Sequence, residues 1–273
     1  MNRRCHLILA LAASSALSVV AACFGDNEVS GPLLQEVIAP QAVDADGGIA
    51  SIVVRVRARP QEEVAVSLTA TLGVHTPERA VVTTDAAGLA EATFTYTAGP
   101  TAGTEDSLAQ VTDPLGAVAS RDFSFAVTPI TRVGQSQQLT GFAAVDLGFF
   151  EGQAVPVASA GSLRRVGLFA PGPAEILIGV YSEVAGLPSA LVVQTTGMLQ
   201  RGRNELAVPA TTLAAGSYWI MASYKAAANM YVGTTVVPTR YIARAHASTA
   251  PAVYPSSTLY NDEVRNLYLV LGE

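Results

Sequence analysis

Few side chains in this 273-residue chain can do covalent or proton-transfer chemistry, and they are scattered along it. His6, His75 and His246 are the only imidazoles, Lys225 is the only lysine, and Cys5 and Cys23 are the only thiols. A histidine-based triad or a multi-histidine metal site therefore lacks parts. The sequence has no Gly-x-Ser-x-Gly elbow, no His-Glu-x-x-His and no phosphate-cradling Gly-x-x-x-x-Gly-Lys. Two facing carboxylates could serve a glycosidase, but Asp262 and Glu263 are adjacent, and neighbours on a strand point to opposite faces. Asp44, Asp46, Asp85 and Asp113 offer hard oxygens for Ca²⁺, yet each stands within a few residues of a glycine and reads as a turn initiator. The expectation is a protein that is not an enzyme, with no catalytic residue, no cofactor and no metal.

Cys23 is the exception. Arg3 and Arg4 precede an apolar run from Leu7 to Val20, and small residues follow in Val20-Ala21-Ala22-Cys23. Charged start, short apolar centre and small residues before a cut make an export signal. The run is too short for roughly 30 Å of hydrocarbon, which takes about 20 residues. An aliphatic residue and two small ones before cysteine resemble the lipobox of bacterial lipoproteins. That resemblance implies a diacylglyceryl group on the Cys23 sulfur, cleavage after residue 22 and a lipid anchor in the cell envelope. Phe24, where some bacteria place an Asp for inner-membrane retention, implies the outer membrane or cell surface if the source is Gram-negative.

Removing residues 1–22 takes Arg3 and Arg4 with them, so 14 basic side chains face 22 acidic ones, a formal net charge of −8. Such a chain offers no basic surface for nucleic acid. With Cys5 gone and Cys23 alkylated, no disulfide is available. Stability must come from packed apolar surface, and about 250 residues suffice for two cores.

Residues 23–32 are short and polar, as suits a tether. From 33 to 128 the pattern is strand throughout. Ile52, Val54 and Val56 alternate with Val53, Arg55 and Arg57, and the same period returns around Val64-Val66-Leu68, Phe94-Tyr96 and Phe123-Phe125. Turn clusters separate them at Asp44-Ala45-Asp46-Gly47-Gly48, Asp85-Ala86-Ala87-Gly88 and Asp113-Pro114-Leu115-Gly116. Ala45-Asp46-Gly47, and Val82-Thr83-Thr84-Asp85-Ala86-Ala87-Gly88-Leu89-Ala90 ahead of Ala92-Thr93-Phe94-Thr95, resemble the immunoglobulin-like domains of the invasin and intimin type. The resemblance implies a sandwich used as a rigid spacer, with Gly99 to Thr104 ahead of Ala109-Gln110-Val111 as its closing hairpin.

Pro129 and the polar run Gly134-Gln135-Ser136-Gln137-Gln138 mark a boundary, after which strands resume to residue 273. Gly179-Val180-Tyr181, the turn Gly186-Leu187-Pro188 and Leu213-Ala214-Ala215-Gly216-Ser217-Tyr218-Trp219 resemble a jelly-roll sandwich of secreted bacterial proteins. Carbohydrate binding is a usual role of that architecture, though the fold alone does not imply it. The fold expected is thus all-β: an immunoglobulin-like sandwich at 33–128 and a jelly-roll-like one at 129–273, in tandem after the signal.

Eight of the nine tyrosines and the single tryptophan fall in the second segment. Tyr218, Trp219 and Tyr268 lie in apolar strands and read as core. Tyr224, Tyr231, Tyr241, Tyr254 and Tyr260 fall in a less regular stretch, where tyrosine rings could stack on sugars. They are the candidate ligand residues. The function expected is a lipid-anchored envelope protein presenting a module for glycan or protein, with a purely structural envelope protein as the alternative.

Overall fold

The computed structural model describes residues 31–145 and 147–272, the side chains of 260–262 excepted, and every regular element in it is a strand. The signal segment and Cys23 lie outside the described residues, as does the Tyr260 side chain. No helix among the described residues is long and apolar enough to cross a membrane. The chain divides into two compact units. One holds the described residues up to Gln41, Ile49–Thr97 and Glu105–Phe125; the other holds Ala42–Gly48, Ala98–Thr104 and the chain from Ala126 onward.

The first nine strands are β1 (Leu33–Ile38), β2 (Ala42–Asp44), β3 (Ile49–Arg57), β4 (Glu63–Thr69), β5 (Gly73–Thr76), β6 (Arg79–Thr83), β7 (Leu89–Ala98), β8 (Gly103–Thr112) and β9 (Val118–Thr128). They form sheets β1-β3-β7-β5 and β2-β9-β8-β4-β6, with β2 parallel to β9. Period two decides the faces: Ile52, Val54, Val56, Phe94 and Tyr96 from one sheet and Val64, Val66, Ala109 and Val111 from the other are essentially fully buried. Each large one adds about 1.5–3 kcal/mol of burial. Tyr96 meets Phe125 edge-on at 4.9 Å between ring centres, bringing the two sheets face to face. The layout resembles immunoglobulin-like sandwiches.

The aspartates act in the turns. Asp85 Oδ1 accepts from the N–H groups of Ala87 and Leu89, and Asp113 Oδ1 from those of Leu115 and Ala117. One expectation is corrected here. Residues 99–102 do not close a hairpin, because β7 and β8 belong to different sheets and the segment crosses between them. Asp113–Ala117 instead joins β8 to β9 within one sheet.

Glu105, in phase with Ala109 and Val111, is fully buried. Its carboxylate accepts from Thr71 N–H at 2.6 Å, Leu72 N–H at 2.9 Å, Tyr96 Oη at 2.7 Å and Ser107 Oγ at 3.2 Å. Gly73 makes room for this, since a Cβ there would stand 2.5 Å from the Tyr96 hydroxyl. Burial pushes the Glu105 pKa up, but the bonds from Thr71, Tyr96 and Leu72 outweigh it and hold the carboxyl below its usual value. Neighbouring His75, also buried, is pulled down by that burial, against the opposing charge of Glu105.

The other strands are β10 (Ile130–Gly134), β11 (Gly141–Ala144), β12 (Phe149–Val157), β13 (Gly161–Ala170), β14 (Ala174–Val184), β15 (Leu187–Leu199), β16 (Gly202–Leu213), β17 (Gly216–Tyr224), β18 (Asn229–Ala243), β19 (Thr258–Arg265) and β20 (Leu267–Gly272). One sheet runs β10-β20-β13-β16; the larger runs β11-β18-β12-β17-β14-β15, with β19 paired to β18. Leu163, Val166, Leu168, Leu267 and Leu269 from the first share a core with Val155, Ile176, Ile178, Val180 and Ile220 from the second. The turn after β14 is only Ala185-Gly186, both at positive φ, so Leu187 and Pro188 already belong to β15. In phase with Val155, Gln153 exchanges bonds with the backbone of Arg265, and Glu151 holds the Arg265 guanidinium at 2.6 Å, both charges buried.

The folded-state pKa values of Glu105 and His75 both lie below the unfolded ones. Each group therefore contributes stability that is complete at neutral pH and lost as pH falls, His75 below its ordinary 6.5 and Glu105 below its ordinary 4.5. Glu105→Gln should cost about 2 kcal/mol at pH 7 by opposing an amide to backbone N–H donors. Urea unfolding across pH should then show a shallower loss below 4.5 than in the parent; an equally steep loss would mean that other carboxylates govern it.

Candidate functional site

The outer face of the larger sheet in the second unit carries aromatic residues: Phe150 on β12, Tyr181 on β14 and Trp219 on β17, all buried. What buries them is the strap of residues 244–257 that links β18 to β19. Its Ala250 and Tyr254 pack into the same cluster. Tyr254 meets Tyr181 edge-on at 5.1 Å. Gly179 leaves space for the strap, because a Cβ there would come within 3.2 Å of both Ala250 Cβ and the Phe150 ring.

A segment without regular partners lies on a sheet only if its polar backbone is satisfied. Here Tyr181 Oη donates to Pro251 C=O at 2.9 Å, Tyr254 Oη donates to Phe150 C=O at 2.7 Å, and Ala250 N–H donates to Gln194 Oε1 at 2.6 Å. Backbone bonds from Leu191 to Ala252 and from Tyr254 to Ser189 add β15 as a second rail. Burial pushes the Tyr181 pKa up, so the hydroxyl remains a donor through the neutral range.

Beyond the last register pair, Tyr241 with Thr258, β18 and β19 part, and the strap begins and ends there. An open depression of about 480 Å³ lies at this mouth, lined by Tyr241, Arg244, Pro255, Ser256 and Thr258 among others. Its size falls within the range of small-ligand sites. Among the described residues it presents one phenol, one guanidinium and two hydroxyls, and no carboxylate. Tyr241 is half-buried and braced edge-on against Phe149 at 5.1 Å. A smaller depression of about 360 Å³ in the first unit is lined by Asp106 and Asp122 with Ser107 and Ser124, and has no basic group among the described residues.

The five candidate tyrosines do not form one patch, and four of them stand on strands rather than in loops. Tyr224, at the end of β17, is buried in the main core, and its hydroxyl has no hydrogen-bond partner among the described residues. Tyr231, on β18, is buried with Phe169, Tyr268 and Val270. Tyr254 is the buried strap anchor. Tyr260 pairs through its backbone with Thr239. Of the four whose side chains are described, Tyr241 lines the depression. Sequence reading missed Arg244, Ser256 and Thr258. The available signal was Arg240-x-Ile242-x-Arg244, a strand-period run that places two guanidinium groups on one face.

No protein family and no curated protein matches the sequence. Among solved structures, the chain is similar to the part of an Escherichia coli alpha-2-macroglobulin running from domain MG7 to the C-terminus, at 14% identity and TM-score 0.32, over 58% of this chain and 25% of that one. It spans only a quarter of that relative's length. The D0-D1 domain of intimin aligns at 14% identity and TM-score 0.26 over 85% and 98% of the two chains. A carbohydrate-binding module of the β-sandwich superfamily aligns at 12% and 0.23 over 71% and 98%. The likeness is weak and partial, and it assigns neither family nor function.

Two hydroxyl deletions should move stability in opposite directions. Tyr254→Phe removes a strap anchor and should cost about 1 kcal/mol, with faster tryptic cleavage at Arg244. Tyr224→Phe removes a buried hydroxyl that has no partner and should leave stability unchanged or raise it by up to about 1 kcal/mol. Urea unfolding and limited proteolysis of both variants read the difference.

Proposed function

We propose that this is a lipid-anchored, non-catalytic envelope protein whose second sandwich, residues 129–273, binds saccharide at the mouth where β18 and β19 part. The observation that carries the reading is the composition of that depression. A braced tyrosine, an arginine and two hydroxyls stand together at its lining, while Phe150, Tyr181 and Trp219 of the same sheet are taken up in packing. Polar groups around an aromatic ring suit a polyhydroxylated ligand, which stacks its C–H face and exchanges hydrogen bonds. The sandwich at 33–128 serves as spacer in this reading, and its buried charge cluster is structural. The lipid anchor rests on Cys23 and the residues before it, and with it the placement at the cell surface.

A structural role without a soluble ligand is the second reading, and one observation favours it: Tyr224, Tyr231 and Tyr254 are buried. The two readings part on Tyr241. In a glycan-array screen of the full-length protein in mild detergent, Tyr241→Ala should reduce saccharide retention about tenfold while unfolding stays cooperative. Absence of retention by the folded parent would favour the structural reading. The anchor is tested separately, by growth with labelled palmitate in a bacterial host. Cys23→Ser should abolish incorporation and leave the uncleaved form; label that persists would exclude Cys23 as the acceptor.

A further inference from the structure

The charge at the mouth narrows the ligand. Arg132, Arg165, Arg203, Lys225 and Arg265 of this unit each lie within 4.0 Å of a carboxylate. Arg240 and Arg244 have no such partner among the described residues, although the mature chain carries an excess of acids. Arg240 stands on β18, and Arg244 follows directly after that strand ends, at the start of the strap. Arg244 lines the depression and uses one nitrogen to donate to Thr249 C=O at 2.9 Å. Arg240 lies with its guanidinium carbon 5.9 Å from the Trp219 ring centre and reaches Ser257 Oγ at 3.4 Å. Its Nε is buried without a partner. Glu183, which bonds the same indole, is engaged through Oε2 by Ser217 Oγ at 2.8 Å and Trp219 Nε1 at 3.0 Å. Arg164 and Arg201 also lack a carboxylate within that distance, but they lie on β13 and in the turn between β15 and β16, away from the mouth.

Resting on the reading above, we infer that the depression takes an acidic saccharide, a uronate-bearing glycan whose carboxylate sits on Arg244. Two properties of guanidinium support this. It forks onto a carboxylate with two parallel N–H bonds, and it keeps its charge at every physiological pH. The net negative charge of the chain does not prevent it. At physiological ionic strength, charges more than about 8–10 Å away are largely screened, so the adjacent guanidinium governs the potential inside the mouth. One positive group at the lining, with a second one behind it, suits the single charge of a uronate ring. Ser256 and Thr258 are placed for its hydroxyls and Tyr241 for its C–H face.

The test uses the full-length protein in mild detergent and an array of oligosaccharides in pairs, each uronate polymer beside its carboxyl-reduced neutral counterpart: galacturonate with galactose, glucuronate with glucose, mannuronate with mannose. The expected result is about tenfold stronger retention of the acidic member of at least one pair. Arg244→Gln should bring the two members of that pair level, with Arg244→Lys in between because it keeps the charge and loses the fork. Equal retention of both members, unchanged in Arg244→Gln, would overturn the inference and leave the saccharide reading standing. Retention of neither member of any pair by folded protein would overturn both.

Discussion

Every place where the chain leaves a strand ladder inside this protein exposes backbone donors and acceptors that must find partners, and buried polar side chains meet that need. Glu105 takes the amides of Thr71 and Leu72. Gln153 brackets both backbone groups of Arg265, while Asn266 bonds Leu139 N–H and the carbonyls of Gln135 and Gln137. Gln194, Tyr181 and Tyr254 do the same for the strap. An unsatisfied buried backbone group costs about 1–3 kcal/mol, comparable with the burial of a large side chain. No cysteine lies among the described residues, so these few contacts decide which irregular segments lie down on the sheets.

That constraint also explains what could be read from sequence. Ile52-Val54-Val56 and Val64-Val66-Leu68 fixed their faces by alternation alone, and Asp85 and Asp113 marked their turns because an Asx carboxylate bonds amides two and four residues on. Both signals are local. The bonds of Glu105 to Thr71 span 34 residues and that of Tyr254 to Phe150 spans 104, and nothing at either end announces the other. The phase of Glu105 with Ala109 and Val111 did announce an inward carboxylate. Alternation taken seriously through a charged residue would have found it.

The tyrosines illustrate the same limit from the other side. Their clustering late in the chain reflects two uses that composition does not separate: filling the core, as with Tyr224 and Tyr231, and pinning the strap, as with Tyr181 and Tyr254. A phenol suits both, since its ring packs and its hydroxyl satisfies a distant carbonyl. Only after those uses are assigned does Tyr241 stand apart, and it does so because β18 outlasts its pairing with β19.

The strap thus shapes the site by what it covers. Laid over Phe150, Tyr181 and Trp219, it converts an aromatic face into packed interior and leaves an opening where it departs and returns. A ligand at that opening meets groups already held in place: Tyr241 by Phe149, Arg244 by Thr249, and Ser257 beside Arg240. Little side-chain freedom is left to lose, which favours affinity from a small contact area. The same fixation separates Arg240 and Arg244, which have no carboxylate partner among the described residues, by position. Arg240, lodged over an indole with its Nε out of water, sets the local potential, whereas Arg244 at the lip has N–H groups to give. Arg244 beside the hydroxyls of Ser256 and Thr258 is the arrangement that the proposed carboxylate ligand would use.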